Sequence, residues 1–250
     1  MRMSIVVKII GSSPGIIPID DGLSFEDVCI QCCRDLEISP ASRNLFALRN
    51  ETSKLYVNPS DLLKDGDDSY ELRLRFWPSL ANLSKIGTKA LNYFYRQVYE
   101  EFVEGKITAF NNKTNQSVAL GLAVTAMYCH MKDYGVKMND VLTNYKKFVP
   151  KMVRRNSNLK YSTESLKTRL NQVVQNPPGE TWFFKQAFLK TIAQTATDYS
   201  VEKYPVKVEE GEELIEFDLI VQPMGSEHPG VKMQSVKKKI VSCCYSTYFS

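Results

Sequence analysis

Histidine is nearly absent from this 250-residue sequence: His130 and His228 stand alone, in no recognisable motif. A nucleophile needs a base and a group that orients it, so no triad is legible and no catalytic residue is assigned. Cysteine is too sparse for a disulfide framework: six in a chain this long point to a reducing interior. Cys29, Cys32 and Cys33 form a CxxCC run with no second ligand pair nearby, whereas a zinc site needs about four ligands. They read as the apolar face of a helix, and no metal or other cofactor is expected. No segment is long and apolar enough to span a bilayer, and Met1 to Gly15 carries no secretory hydrophobic region. Charge of one sign is scarce as well. The 32 basic and 28 acidic residues leave +4, too little to imply nucleic acid. Repeats and low-complexity tracts are missing. These absences describe a cytosolic protein that can still lie against a membrane.

What is present is ordinary for a folded chain: 43% hydrophobic and 24% charged residues. The length suits two or three small lobes or one large domain. The chain is organised around Asn115 to Gly135. From Val118 to Met131 nearly every face is apolar or small, the pattern of a buried helix. Asn115 or Gln116 caps its start and Gly135 stops it. Other helices must cover it. Lys89 to Glu104 carries Leu91, Phe94, Tyr95, Val98 and Phe102 at helical spacing, and Gly105 ends it. Asn139 caps a short helix, Ser162 or Thr163 opens one running through Val174, and Glu180 to Tyr199 is the last. Short connections between five helices suit one antiparallel helical lobe.

Strands flank this lobe. Ser4 to Ile10 and Ile16 to Ile19 are β-branched and separated by a turn. Ser24 to Asp27 has the form of a capping box opening a helix through Leu36. Leu45 to Leu48, Lys54 to Val57 and Tyr70 to Trp77 read as three more strands. In the last, Leu72, Leu74 and Phe76 face one way, Arg73 and Arg75 the other. Two strands, a helix and three strands is the order of a ubiquitin-like β-grasp. Pro78 to Thr88 reads as a linker. From Tyr204 period two returns, in Val206 to Val208, Leu214 to Val221 and Val231 to Val241, enough for three or four strands.

This succession resembles a FERM domain: an α+β chain with a ubiquitin-like β-grasp lobe over 1–78, a helical lobe over 79–202 and a partial PH-like β lobe over 203–250. Ile38-Ser39-Pro40, Asn44-Leu45-Phe46-Ala47-Leu48, Lys54-Leu55-Tyr56 and Leu74-Arg75-Phe76-Trp77 are similar to the first FERM lobe of Janus kinases. So, in the second lobe, are Leu120-Gly121-Leu122-Ala123-Val124, Tyr145-Lys146-Lys147 with Pro150 and Arg154-Arg155, and Leu166-Lys167-Thr168-Arg169. The chain departs from that family in a shorter linker after Trp77, in Ala193 where glutamate is usual, and beyond Val208. It contains no kinase signature: no Gly-rich phosphate loop, no His-Arg-Asp, no Asp-Phe-Gly. The resemblance implies a receptor-docking module of a non-receptor tyrosine kinase in JAK–STAT signalling, itself without catalysis. Its helical lobe would receive the proline-rich, membrane-proximal motif of a cytokine receptor's intracellular tail. The rival is a membrane–cytoskeleton linker of general FERM type, binding other tails and anionic lipids.

Two sets of site residues follow. A stiff proline-containing peptide suits an apolar groove, for which Leu122, Ala126, Tyr145, Phe148 and Val149 are candidates, with plain core packing as the alternative. Lys146, Lys147, Lys151, Arg154, Arg155 and Lys160 form a run without an intervening acid. It suits an acidic tail or anionic lipid head groups, where each cation contributes ~1 kcal/mol; a solvated polar loop is the alternative. Lys237-Lys238-Lys239 before Cys243-Cys244 reads as an exposed edge strand or as a polybasic, acylated anchor. Tyr93, Tyr95 and Tyr99 read as packing residues.

Overall fold

Alternation along the first strand sets up the first lobe. In β1 (Met3–Lys8), Ile5 and Val7 are buried while Val6 and Lys8 face out. The structure, a computed structural model, describes residues 3–11, 15–19, 22–63, 69–155, 159–177, 179–199, 201–210, 213–222, 230–235 and 241–245. β1 pairs antiparallel with β2 (Gly15–Ile19) and parallel with β4 (Tyr70–Leu74), which pairs antiparallel with β3 (Phe46–Asn50), giving the order β2-β1-β4-β3. Helix α1 (Phe25–Asp35) opens with the expected capping box: Asp27 N–H donates to Ser24 Oγ and Ser24 N–H to Asp27 Oδ2. The three cysteines of α1 are buried with Val28, and burial pushes the Cys32 thiol up to about 12, where it is inert. The turn α2 (Pro40–Arg43) follows.

The strand expected at Lys54 to Val57 is not formed. Lys54 has φ +60° and Asn50 Oδ1 accepts from Thr52 and Ser53 N–H, so a tight turn consumes these residues and leaves a single bridge, Arg49 to Tyr56. The last strand ends at Leu74, short of Trp77, and Phe76 is half exposed. All five residues of β4 are buried, Glu71 and Arg73 included. Its polar side lies against the next helix instead of water. The linker packs too: Leu83 and Ile86 are buried, and Ser42 Oγ donates to Ile86 O at 2.6 Å.

The helical lobe starts with α3 (Thr88–Glu104), ended by Gly105 at φ +79°. Tyr93 and Gln97 face the first lobe: Tyr93 Oη donates to Leu72 O, and Gln97 bonds both the N–H and the C=O of Leu74. The central helix α4 (Gln116–Tyr134) is buried over Leu122–Val124 and Ala126–Cys129, and Gly135 stops it at φ +65°. Asn115 stands at the cap position but caps nothing, because its Nδ2 donates to Ala109 O. α5 (Met138–Thr143) begins one residue before Asn139, with Lys137 at its cap position. The expected basic loop holds a 3-10 turn (Tyr145–Lys147) and a helical turn α6 (Lys151–Arg154). α7 (Leu159–Gln175) starts before Ser162, and α8 (Thr181–Thr195) is shorter than expected at both ends. α8 packs on α3 and α4. Phe188 meets Phe102 and Tyr95 edge-on, and Phe102 meets Phe110. Each fully buried ring of this kind contributes roughly 1.5–3 kcal/mol.

The third lobe is an antiparallel meander: β5 (Glu202–Glu210), β6 (Glu213–Gln222), β7 (Gly230–Ser235) and β8 (Val241–Tyr245), in that order across the sheet. The expected strand Val231 to Val241 is therefore two strands. Lys237 to Lys239 lie outside the described residues; Cys243 and Cys244 fall in β8.

Candidate functional site

Four pieces of chain enclose a cleft of about 400 Å³: α3, the second half of α4 with Phe148 just past the 3-10 turn beyond it, Lys185 of α8, and Gly11 of the first lobe. Its walls are aromatic. Tyr95 and Tyr99, one helical turn apart, stack with centroids at 5.9 Å. His130 sits between Tyr134 and Phe148, at 4.8 and 5.3 Å. Burial holds the His130 imidazole below its usual 6.5, partly opposed by Asp133 and reinforced by Lys147. It is therefore a neutral, ring-like wall at pH 7. Tyr99 Oη donates to Lys147 O and fixes the turn against α3. One cation is buried in the cleft: Lys185 Nζ lies 2.7 Å from Asp133 Oδ2 and 2.8 Å from Asn92 Oδ1, over the Tyr95 ring. Arg96 donates to Tyr134 Oη at 2.6 Å across the mouth. Gly11, at φ +73°, backs that arginine so closely that any Cβ there would meet Nη1 at 2.7 Å.

Of the five expected groove residues, Ala126 and Phe148 line this cleft. Leu122 and Val149 are buried in the core, and Tyr145 is half-buried against it. Asp133, Tyr134 and Lys185 escaped the sequence reading, which takes Tyr95 and Tyr99 for packing residues only. The tyrosine spacing was a visible signal; the pairing of Lys185 with Asp133, from separate helices, had none.

The basic run has a simple physical origin. Phe148, Val149, Pro150 and Val153 are buried, so the intervening cations turn outward. Lys146, Lys147, Lys151 and Arg155 are exposed and Arg154 is half-buried. None of the five has a carboxylate within ion-pair distance among the described residues. Arg154 Nε is buried without a hydrogen-bond partner among the described residues. Lys160 lies on α7, with its side chain outside the described residues. No described helix is long and apolar enough to cross a membrane.

Two family models match: the FERM F1 ubiquitin-like domain over residues 14–80 and the FERM F2 acyl-CoA binding protein-like domain over 84–209. The tyrosine-protein kinase JAK1 of Danio rerio is 24% identical over 223 residues, covering 73% of this chain and 18% of that protein. The chain thus spans under a fifth of that relative's length. Among solved structures, the Drosophila Merlin FERM and C-terminal domain complex is similar at TM-score 0.67 and 16% identity, over 97% of this chain and 79% of that one. The Dictyostelium discoideum myosin VII MyTH4-FERM MF2 domain gives 0.66 and 15%, over 98% and 50%. The human myosin 7b C-terminal MyTH4-FERM domain in complex with harmonin-a PDZ3 gives 0.59 and 15%, over 98% and 51%. At these identities the likeness shows the fold alone. With its first two lobes matched by family models over most of its length, the chain belongs to the FERM domain family and is JAK-like in sequence.

Proposed function

We propose that this chain is the receptor-docking module of a Janus-type tyrosine kinase, the kinase domain lying outside it. The cleft takes the extended, proline-containing, membrane-proximal segment of a cytokine receptor's tail. The basic face lies against the acidic lipid beside that segment, at the inner face of a membrane. The observation that supports this best is the aromatic cleft in the helical lobe of a JAK-like chain. Rings stacked along a groove suit a backbone already stiffened by proline, because little entropy is lost on docking.

The test is a titration with a labelled receptor peptide carrying the proline-rich motif. A control peptide has its proline and apolar anchors changed to alanine. Saturable binding is expected, lost in the control and weakened about tenfold by Tyr134→Ala, which costs roughly 1.4 kcal/mol. No binding by the folded chain overturns the reading, and the general FERM linker then becomes the better one. Vesicles test the basic face. Lys146→Glu with Lys147→Glu should reduce binding to anionic vesicles and leave neutral vesicles unchanged.

A further inference from the structure

Where the three lobes meet, a second cavity of about 220 Å³ opens to solvent. Arg49, Lys54, Arg73, Arg75 and Lys203 line it, against Glu101 and Glu202. Adding Glu71, which Arg49, Lys54 and Arg73 share, leaves five cations facing three carboxylates. Lys203 has no ion pair among the described residues. Arg73 is 6% exposed, and its Nε is buried with no hydrogen-bond partner among the described residues. The cavity therefore holds an excess of positive charge, and one of its lining arginines keeps a buried donor unspent among the described residues, features that suit an anion.

One hydroxyl is poised at that wall. Tyr204 stands on β5, the outer strand of its sheet, and is half-buried. Its Oη lies 2.9 Å from Arg75 Nη2 and donates to Glu202, whose carboxylate is held by Arg75 at 2.9 and 3.0 Å. Arg75 comes from the first lobe and the other two from the third, so this triplet is a joint between lobes.

We propose that Tyr204 is a phosphorylation site and that this cavity receives its phosphoryl group. The donor is ATP and the catalyst a tyrosine kinase acting in trans. Tyr204 Oη forms the new bond to Pγ, the bond from Pγ to the β,γ-bridging oxygen breaks, ADP leaves and the hydroxyl proton goes to the kinase's base. The product carries nearly two negative charges beside Glu202. Like charges repel, so Glu202 is expelled from Arg75, and the more highly charged phosphoryl oxygens take the guanidinium fork that the carboxylate held. Lys54 and Lys203, which line the same cavity, supply the remaining donors. The Arg75–Glu202 ion pair between the first and third lobes becomes a clamp of several cations, and the modification stiffens the joint.

The experiment places phosphotyrosine at 204 of the full chain by codon reassignment. A phosphatase should remove it about tenfold more slowly than from a short peptide of the same local sequence, and the melting temperature should rise above that of the unmodified chain. Lys54→Met with Lys203→Met, which leaves the Arg75–Glu202 pair of the unmodified chain intact, should weaken both effects, because Arg75 alone is left to hold the phosphoryl group. Equal phosphatase rates, or a lower melting temperature, would overturn the clamp. In a parallel arm, the wild-type chain is incubated with ATP and a broad-specificity tyrosine kinase, and the sites are mapped by mass spectrometry. Modification of Tyr204 is expected; modification of other tyrosines with Tyr204 untouched would overturn the site.

Discussion

The joint between the first two lobes turns on one arginine, so Arg73→Met is the most informative perturbation of the fold. Arg73 lies on β4 with its side chain 7% exposed, and donates to Glu101 on α3 at 2.5 Å and to Glu71 at 3.3 Å. Removing it strands Glu101, 12% exposed, with the Tyr199 hydroxyl as its one remaining side-chain donor among the described residues. Glu71 keeps Arg49 at 3.0 Å. Breaking a buried pair from one side typically costs about 3–5 kcal/mol, because the surviving charge has lost its counter-ion without regaining water. Against a domain stability of roughly 5–15 kcal/mol that is a large share. At roughly 2–4 °C per kcal/mol for a chain of this size, it lowers the melting temperature by about 6–20 °C. Glu101→Gln alone should cost less, since Arg73 retains Glu71. The double variant should be more stable than the sum of the singles requires, by roughly 0.5–3 kcal/mol of coupling. Urea unfolding of the four proteins measures all of this. A cost below about 1 kcal/mol for Arg73→Met, or no coupling with Glu101, would refute the view that the pair is buried and holds the lobes together.

Four other outcomes follow. Tyr93→Phe leaves Leu72 C=O and Ile10 N–H without the hydroxyl that now serves both, at 2.7 and 3.3 Å; it should cost about 1–3 kcal/mol in urea unfolding. Gly135→Ala meets no neighbouring atom, so its penalty is the φ of +65° alone, about 1–2 kcal/mol in a thermal melt. Leu122→Ala opens a cavity in the core and should cost about 2–5 kcal/mol while leaving peptide affinity per folded molecule unchanged. Glu71 gives a pH dependence. Burial pushes its carboxyl up, but Arg49 and Arg73 outweigh that and hold it below the ordinary 4.5. Its contribution is therefore complete above about pH 4.5 and is lost as pH falls through the lower folded value; in acid titrations Glu71→Gln should flatten that loss.

Much of the architecture was legible because periodicity reports burial. The all-round apolar helix was placed within a residue of both its ends, and Gly105 and Gly135 stop their helices as left-handed residues. The capping box of α1 was readable because its two partners sit three residues apart in the chain. What failed to read was polar and long-range. Leu72 and Leu74 against Arg73 and Arg75 is the pattern of a half-solvated strand, yet Arg73 is buried because α3 lies across that side and brings Glu101 from 28 residues away. The same holds for Lys185 with Asp133 and for Arg75 with Glu202, 127 residues apart. A charged side chain announces a preference for water; only a partner from another element cancels it, and nothing in the local pattern names that partner. In this chain such pairs lie where lobes meet or where helices wall the cleft. Propensity and periodicity therefore recover each lobe separately, while the joints between them rest on pairings that only tertiary structure discloses.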